Sequence, residues 1–159
     1  MAFVIDTNVL VVADDLNHEA GPGCVQACAA AITKARRRRI VLDEAGVILK
    51  QYRQNLRLGR QTVGANFLQW LLDNLYNPQR CEQVALTPIT GDGRGFEEFP
   101  DDPDLAAFDR SDRVFVAVAI KSRFRPCVLN ATDTDWWCFR EALKRHGVII
   151  EFVCPEQMA

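Results

Sequence analysis

Serine and histidine are scarce in this chain of 159 residues: Ser111 and Ser122 are the only serines, and His18 and His146 the only histidines. A hydrolase built on a Ser–His–Asp triad has little to work with here. Long apolar runs are missing too, and none approaches the roughly 18 residues that a membrane span needs. The N-terminus is apolar but carries Asp6 and lacks both a basic segment and a small-residue cleavage site, so no secretory signal is expected. The expectation is a soluble, cytoplasmic protein with no membrane partner. There is no surplus of positive charge, since 19 Lys and Arg face 21 Asp and Glu for a net charge of −2. A protein that grips nucleic acid through its overall field would be basic, so any such contact must come from local arginine clusters. Paired CxxC knuckles are absent among Cys24, Cys28, Cys81, Cys127, Cys138 and Cys154, which argues against structural zinc. Several of these cysteines sit in apolar runs, where a free thiol packs as a small hydrophobe, in keeping with a reducing cytoplasm. Gly91-Asp92-Gly93-Arg94-Gly95 lacks the strand–turn–helix setting of a phosphate-binding loop.

What is present suits one domain over residues 1–159, with 48% hydrophobic and 25% charged residues. Phe3-Val4-Ile5 is a short apolar run closing on Asp6, a buried strand over 3–6, with residues 7–15 a mixed continuation. Asn17-His18-Glu19 opens a helical stretch from about 19 to 37, which ends in Arg36-Arg37-Arg38-Arg39, where cations suit a helix C-terminus. Ile40-Val41-Leu42 is a second strand closing on Asp43-Glu44. Val47, Ile48, Tyr52 and Leu56 share one face of a following helix, and Phe67, Leu68, Leu71 and Leu72 mark another over about 60–75. Residues 77–104, rich in proline, glycine and acids, read as a long loop excursion within the domain, with Val84-Ala85-Leu86 a short strand or extended connector. Ser111 fits an N-cap ahead of a buried helix through Val114–Ile120, with Asp112 in its first turn. Pro126 to Asn130 is a strand, Thr132 to about Arg145 a helix stopped by Gly147, and Val148 to Val153 a final strand. Strands alternating with helices predict an α/β fold with a mainly parallel sheet covered on both faces.

Asp6 ends the first strand, Asp43 and Glu44 end the second, and Asp133 and Asp135 follow the strand at 126–130. Strand ends in an open parallel sheet share one crevice, where ligands bind. If the first strand is central, Asp112 joins them there. Clustered carboxylates resist ionisation beside one another, and a divalent cation removes the conflict. Oxygen ligands alone suit Mg²⁺ or Mn²⁺, which can activate water and steady a phosphoryl transition state. Each acid taken singly also fits a cap, a turn or a solvated charge. Arg36–Arg39, with Arg53, Arg57 and Arg60 nearby in sequence, fit either RNA phosphates or a solvated helix end. Trp136 and Trp137 fit either base stacking or packing on the sheet.

Four segments resemble the PIN-domain family in order and over nearly the whole chain: Val4-Ile5-Asp6-Thr7-Asn8-Val9-Leu10, Ile40 to Tyr52, Ser111-Asp112-Arg113 through Ala117-Val118-Ala119, and Leu129 to Trp136. The resemblance implies a three-layer α/β/α sandwich and a Mg²⁺- or Mn²⁺-dependent nuclease, most often an endoribonuclease acting on single-stranded RNA, in many cases the toxin of a toxin–antitoxin pair. It implies that Asp6, Asp112 and Asp133 hold metal with Asp135 in support, and that Asn8 orients Asp6 or a metal-held water. An antitoxin protein and a homodimer are the partners it suggests beside RNA. The chain departs from the family pattern in two places. Gln51 stands before Tyr52 where an acid is expected, leaving Asp43 or Glu44 as substitutes, and Ala131 stands where a hydroxyl residue often precedes the fourth acid. A PIN-like module that binds RNA or protein without cutting is therefore the alternative. The opening segment also has a slight likeness to the Asp-x-Asp motif of haloacid-dehalogenase-like phosphatases, but Asn8 cannot serve as that motif's proton donor.

Overall fold

Ala2, Phe3, Val4 and Ile5 are all withdrawn from solvent, as a strand must be when helices cover both faces of its sheet. The computed structural model describes all residues except Asn17, Glu19, Asp92 and Ala159, and in it this segment is strand β1 (Ala2–Ile5). It lies at the centre of a five-stranded sheet with β2 (Arg39–Asp43), β3 (Cys81–Val84), β4 (Cys127–Asn130) and β5 (Ile149–Phe152), in the order β3-β2-β1-β4-β5. Every pairing is parallel: Phe3 sits between Ile40 and Cys127, Ile40 also faces Cys81, and Cys127 also faces Ile149.

The helices are α1 (Thr7–Ala13), α2 (Pro22–Arg36), α3 (Val47–Asn55), α4 (Val63–Asp73), α5 (Arg113–Lys121), α6 (Thr134–Cys138) and α7 (Arg140–Arg145). The fold is a three-layer α/β/α sandwich. From β1 the chain steps outward to β2 and β3, then returns past β1 to β4 and β5. Right-handed crossovers put the helices of the two halves on opposite faces. The reversal falls between β1 and β4, and their C-terminal ends are the topological switch point of the sheet, where open α/β sheets bind ligands.

Several elements differ from the reading of the sequence. Residues 7–13 form a helix rather than a mixed continuation, because Asp6 caps it: its carboxylate accepts the Asn8 N–H at 3.2 Å. The next helix begins at Pro22, in its first turn, where the missing N–H costs nothing. The opening proposed at Asn17 and Glu19 lies outside the described residues. The helix expected over 60–75 spans Val63–Asp73, with Thr62 capping the Ala65 N–H. The 77–104 excursion holds an edge strand at Cys81–Val84, ahead of the Val84-Ala85-Leu86 strand or connector expected there, because Glu82 and Gln83 interrupt its apolar pattern. The helix through Arg145 breaks at Phe139 into α6 and α7, and Gly147, at φ 83°, follows the stop. Ser111 is not the cap. Asp109 is, accepting the Ser111 N–H and hydroxyl at 2.9 Å ahead of a 3-10 turn over Arg110–Asp112.

The cysteine expectation also needs correction. Cys24 and Cys154 form a disulfide across 130 residues of sequence, their Cα atoms 5.5 Å apart. That separation is why two thiols in apolar settings gave no sign of pairing. The remaining four are free, and Cys28 lies 4.0 Å from the Cys154 sulfur. Burial, then the Glu156 charge, pushes the Cys28 thiol up to about 12. Among the described residues no helix is long and apolar enough to cross a membrane.

Candidate metal centre

An apolar strand that ends in a polar residue delivers that residue to the rim with its backbone already fixed. β1 does this with Asp6, which is 3% exposed, and its N–H donates to Leu129 O of β4 at 3.0 Å. β4 does it with Asn130, which is wholly buried and donates from Nδ2 to Asp6 Oδ2 at 3.1 Å. The turn before α5 brings Asp112, 7% exposed, to the head of that helix, where its side chain makes no capping bond. The turn after β4 brings Asp133, whose Oδ1 caps α6 by accepting the Asp135 N–H at 2.9 Å. One oxygen each from Asp6, Asp112 and Asp133 lie within 4.8 Å of one another.

Such crowding perturbs the acids. Burial, above all, pushes the Asp6 carboxyl up to about 7. The Asp133 charge adds to this, while the Asn8 N–H, Asn130 and Trp136 pull the other way. Burial and then the charge of Asp6, with Asp133 and Asp109 adding, push Asp112 up to about 9. Two buried polar atoms line the same place. Among the described residues Asn130 Oδ1 has no hydrogen-bond partner, and Trp136 Nε1, on a fully buried ring, lies toward the Asp6 carboxyl that it helps to hold down. A buried polar atom left unpaired is costly unless a water or a ligand meets it. Three carboxylate oxygens are hard donors of the kind that would suit a divalent cation such as Mg²⁺ or Mn²⁺.

The other residues singled out from sequence have different duties. Asn8 braces two strand ends, its Oδ1 accepting the Ala131 N–H at 3.0 Å. Asp135 accepts the Asp109 N–H at 2.8 Å and so positions the turn that carries Asp112, without joining the three-acid cluster. Asp43 does not join it either. Both of its oxygens are spent at 2.8 Å on the N–H groups of Val47 and Ile48, which makes it the cap that opens α3. Glu44 is exposed. Gln51 reaches the rim but is held there, accepting from Thr7 Oγ1 at 3.3 Å and donating to Ser111 O at 2.8 Å. Tyr52 beside it donates to Ile5 O at 2.5 Å, fixing the last carbonyl before Asp6.

Trp136 is buried and unavailable for base stacking, whereas Trp137 lies edge-on to Phe152 and under Arg140. In the acidic stretch 97–104, Asp102 and Asp104 pair with Arg145 at the far end of α7. Arg36–Arg39 close α2 and open β2, which puts them at the opposite end of the sheet from Asp6. Reading the sequence missed Asn130, although Cys127-Val128-Leu129-Asn130 repeats the pattern of Phe3-Val4-Ile5-Asp6: apolar strand, polar terminus. No family model matches this chain, and no curated protein or solved structure matches it.

Proposed function

We propose that this protein is a PIN-like, Mg²⁺- or Mn²⁺-dependent nuclease that hydrolyses phosphodiester bonds of single-stranded RNA. The observation that carries this reading is the convergence of buried Asp6 and Asp112 with half-buried Asp133 at the switch point, Asn130 gripping Asp6 beside them. Asp6, Asp112 and Asp133 would hold the cation, which when bound supplies charge neutralisation and an activated water. Asn130 orients Asp6 by gripping one oxygen, and Asn8 keeps the ends of β1 and β4 in register. Asp135 fixes the Asp112 turn. The short β1–Asp6–α1 junction and the capped α6 make the site rigid, so the three acids need no rearrangement to meet a cation.

A non-cutting RNA- or protein-binding module is the second reading, and one observation favours it. Gln51 brings an amide where the family has an acid, and both ends of that amide are occupied. The test is incubation of unstructured RNA with Mn²⁺, the Asp6→Asn protein alongside. Cleavage by the parent alone supports the nuclease, and equal cleavage by both proteins would sink it. RNA retained but uncut supports the module. The resemblance extends the proposal to a toxin role with an antitoxin partner and a homodimer. A small protein encoded beside this gene that binds the chain and silences cleavage would support the toxin role, and sedimentation would report the dimer.

A further inference from the structure

Parallel strands start at the same end of a sheet, so the residues that precede them form a second rim, opposite the carboxylates. Here that rim is arginine. Arg37 and Arg38 lead into β2, Arg80 immediately precedes β3, and Arg125 lies two residues before β4. The strands interleave these side chains: Arg80 O accepts the Ile40 N–H at 2.8 Å, Arg80 Nη1 reaches Arg37 O at 3.4 Å, and Phe3 pairs with both Ile40 and Cys127. All four are exposed, and no salt bridge engages any of them among the described residues. Three acids of 97–104 are engaged elsewhere: Glu98 pairs with Lys121, and Asp102 and Asp104 pair with Arg145.

Two further features are hard to explain as a solvated edge. Tyr76, in the turn that leads into β3, is 87% exposed, where a large ring buries nothing within the chain. Arg125 sits at φ 46°, in the left-handed region that glycine or asparagine would occupy more cheaply, and it directly precedes Pro126. Strain kept at a non-glycine residue points to a role for its side chain. Phe124, half-buried beneath Arg39 and Arg123 with guanidinium-to-ring distances of 4.0 and 5.0 Å, stiffens the same rim.

We infer that this arginine rim with Tyr76 is a docking surface for single-stranded nucleic acid, separate from the carboxylate centre and independent of any cation. Guanidinium groups suit phosphate oxygens, and an exposed tyrosine offers a stacking platform that accepts any base. The rim lies about 13 Å below Asp6 by strand rise, too far for one nucleotide to touch both. It therefore holds a strand away from the point of any cleavage, and binding here does not depend on the nuclease assignment.

The test is fluorescence anisotropy of a labelled polyuridine oligonucleotide with the full chain in EDTA, over a salt series. Four phosphate contacts predict a slope of log affinity against log salt of about −3. The double variant Arg38→Glu/Arg125→Glu is expected to lose at least tenfold in affinity and roughly half of that slope. Tyr76→Ala is expected to lose about tenfold with the slope unchanged, and Tyr76→Phe to retain binding. Each substituted side chain is exposed, and an unchanged melting temperature confirms folding. Parent-like affinity in the double variant overturns the inference. Equal displacement of the RNA by polyglutamate would also overturn it, assigning the rim to an acidic protein partner.

Discussion

Replacing Asp112 by asparagine should stabilise the cation-free protein at about pH 8 and abolish its response to Mn²⁺. Folding moves this carboxyl from water to a 7%-exposed position near Asp6 and Asp133, where it holds its proton up to about 9 against an ordinary 3.8. Keeping a proton at pH 8 that the unfolded chain would release costs about 1.4 kcal/mol for each pH step above 3.8, an upper bound of about 6 kcal/mol. Asp6 shares that penalty, and water relaxes around the pair, so about 2 kcal/mol is the amount an amide should recover. For a chain of this size that is a rise of roughly 4–8 °C in melting temperature. The same change removes a ligand oxygen and a charge. Saturating Mn²⁺ should therefore stabilise the parent, by about 2.7 kcal/mol at a hundredfold excess over Kd, and raise its melting temperature but not that of the variant. Thermal melts in EDTA and in Mn²⁺ read both effects without any substrate. A variant less stable than the parent in EDTA, with an undiminished Mn²⁺ response, would refute the reasoning. The acids would then be neither in conflict nor awaiting a cation.

Other outcomes follow from the same geometry. Because folding raises both Asp6 and Asp112, the folded chain keeps protons that the unfolded chain has lost. Cation-free stability should be greatest near pH 4 and fall as pH climbs through about 7 and about 9, a trend that urea melts across pH would reveal and Mn²⁺ should flatten. Asn130→Ala should cost about 1–3 kcal/mol in denaturant melts, by stripping Asp6 Oδ2 of its buried donor, and should weaken Mn²⁺ binding in calorimetry. Asp43→Ala should cost about 1–2 kcal/mol by uncapping α3, with the Mn²⁺ shift in melting temperature intact, whereas loss of that shift would make Asp43 a ligand after all. Gln51→Glu should tighten Mn²⁺ binding by adding a charge at the rim, at some expense in stability from the lost bond to Ser111 O, both measurable by calorimetry and melting.

The sequence by itself determined the parts of this protein whose signal is local. Phe3-Val4-Ile5-Asp6 could only be a buried strand with a polar end, and the alternation of such runs with amphipathic stretches required a parallel α/β sheet. Gly147 and the helix within Val114–Ile120 were legible for the same reason. Elements whose cause is a neighbour were not legible. α1 exists because a strand-end carboxylate caps it, β3 because β2 supplies an edge to an unpatterned segment, and the Cys24–Cys154 bond because the last turn of the chain folds back on α2. Candidate site residues divide in the same way. Asp6, Asp112 and Asp133 were visible as acids at element boundaries, but Asp43, with the same credentials, turns its oxygens inward to cap α3. Spacing along a chain gives the position of an acid to within a rim. Which way its carboxylate points depends on whether a backbone N–H or another carboxylate lies nearer, and only packing decides that. Strand order settled the rest. With β1 at the centre, the carboxylates meet at one end of the sheet, and the arginines that follow α2 are carried to the other.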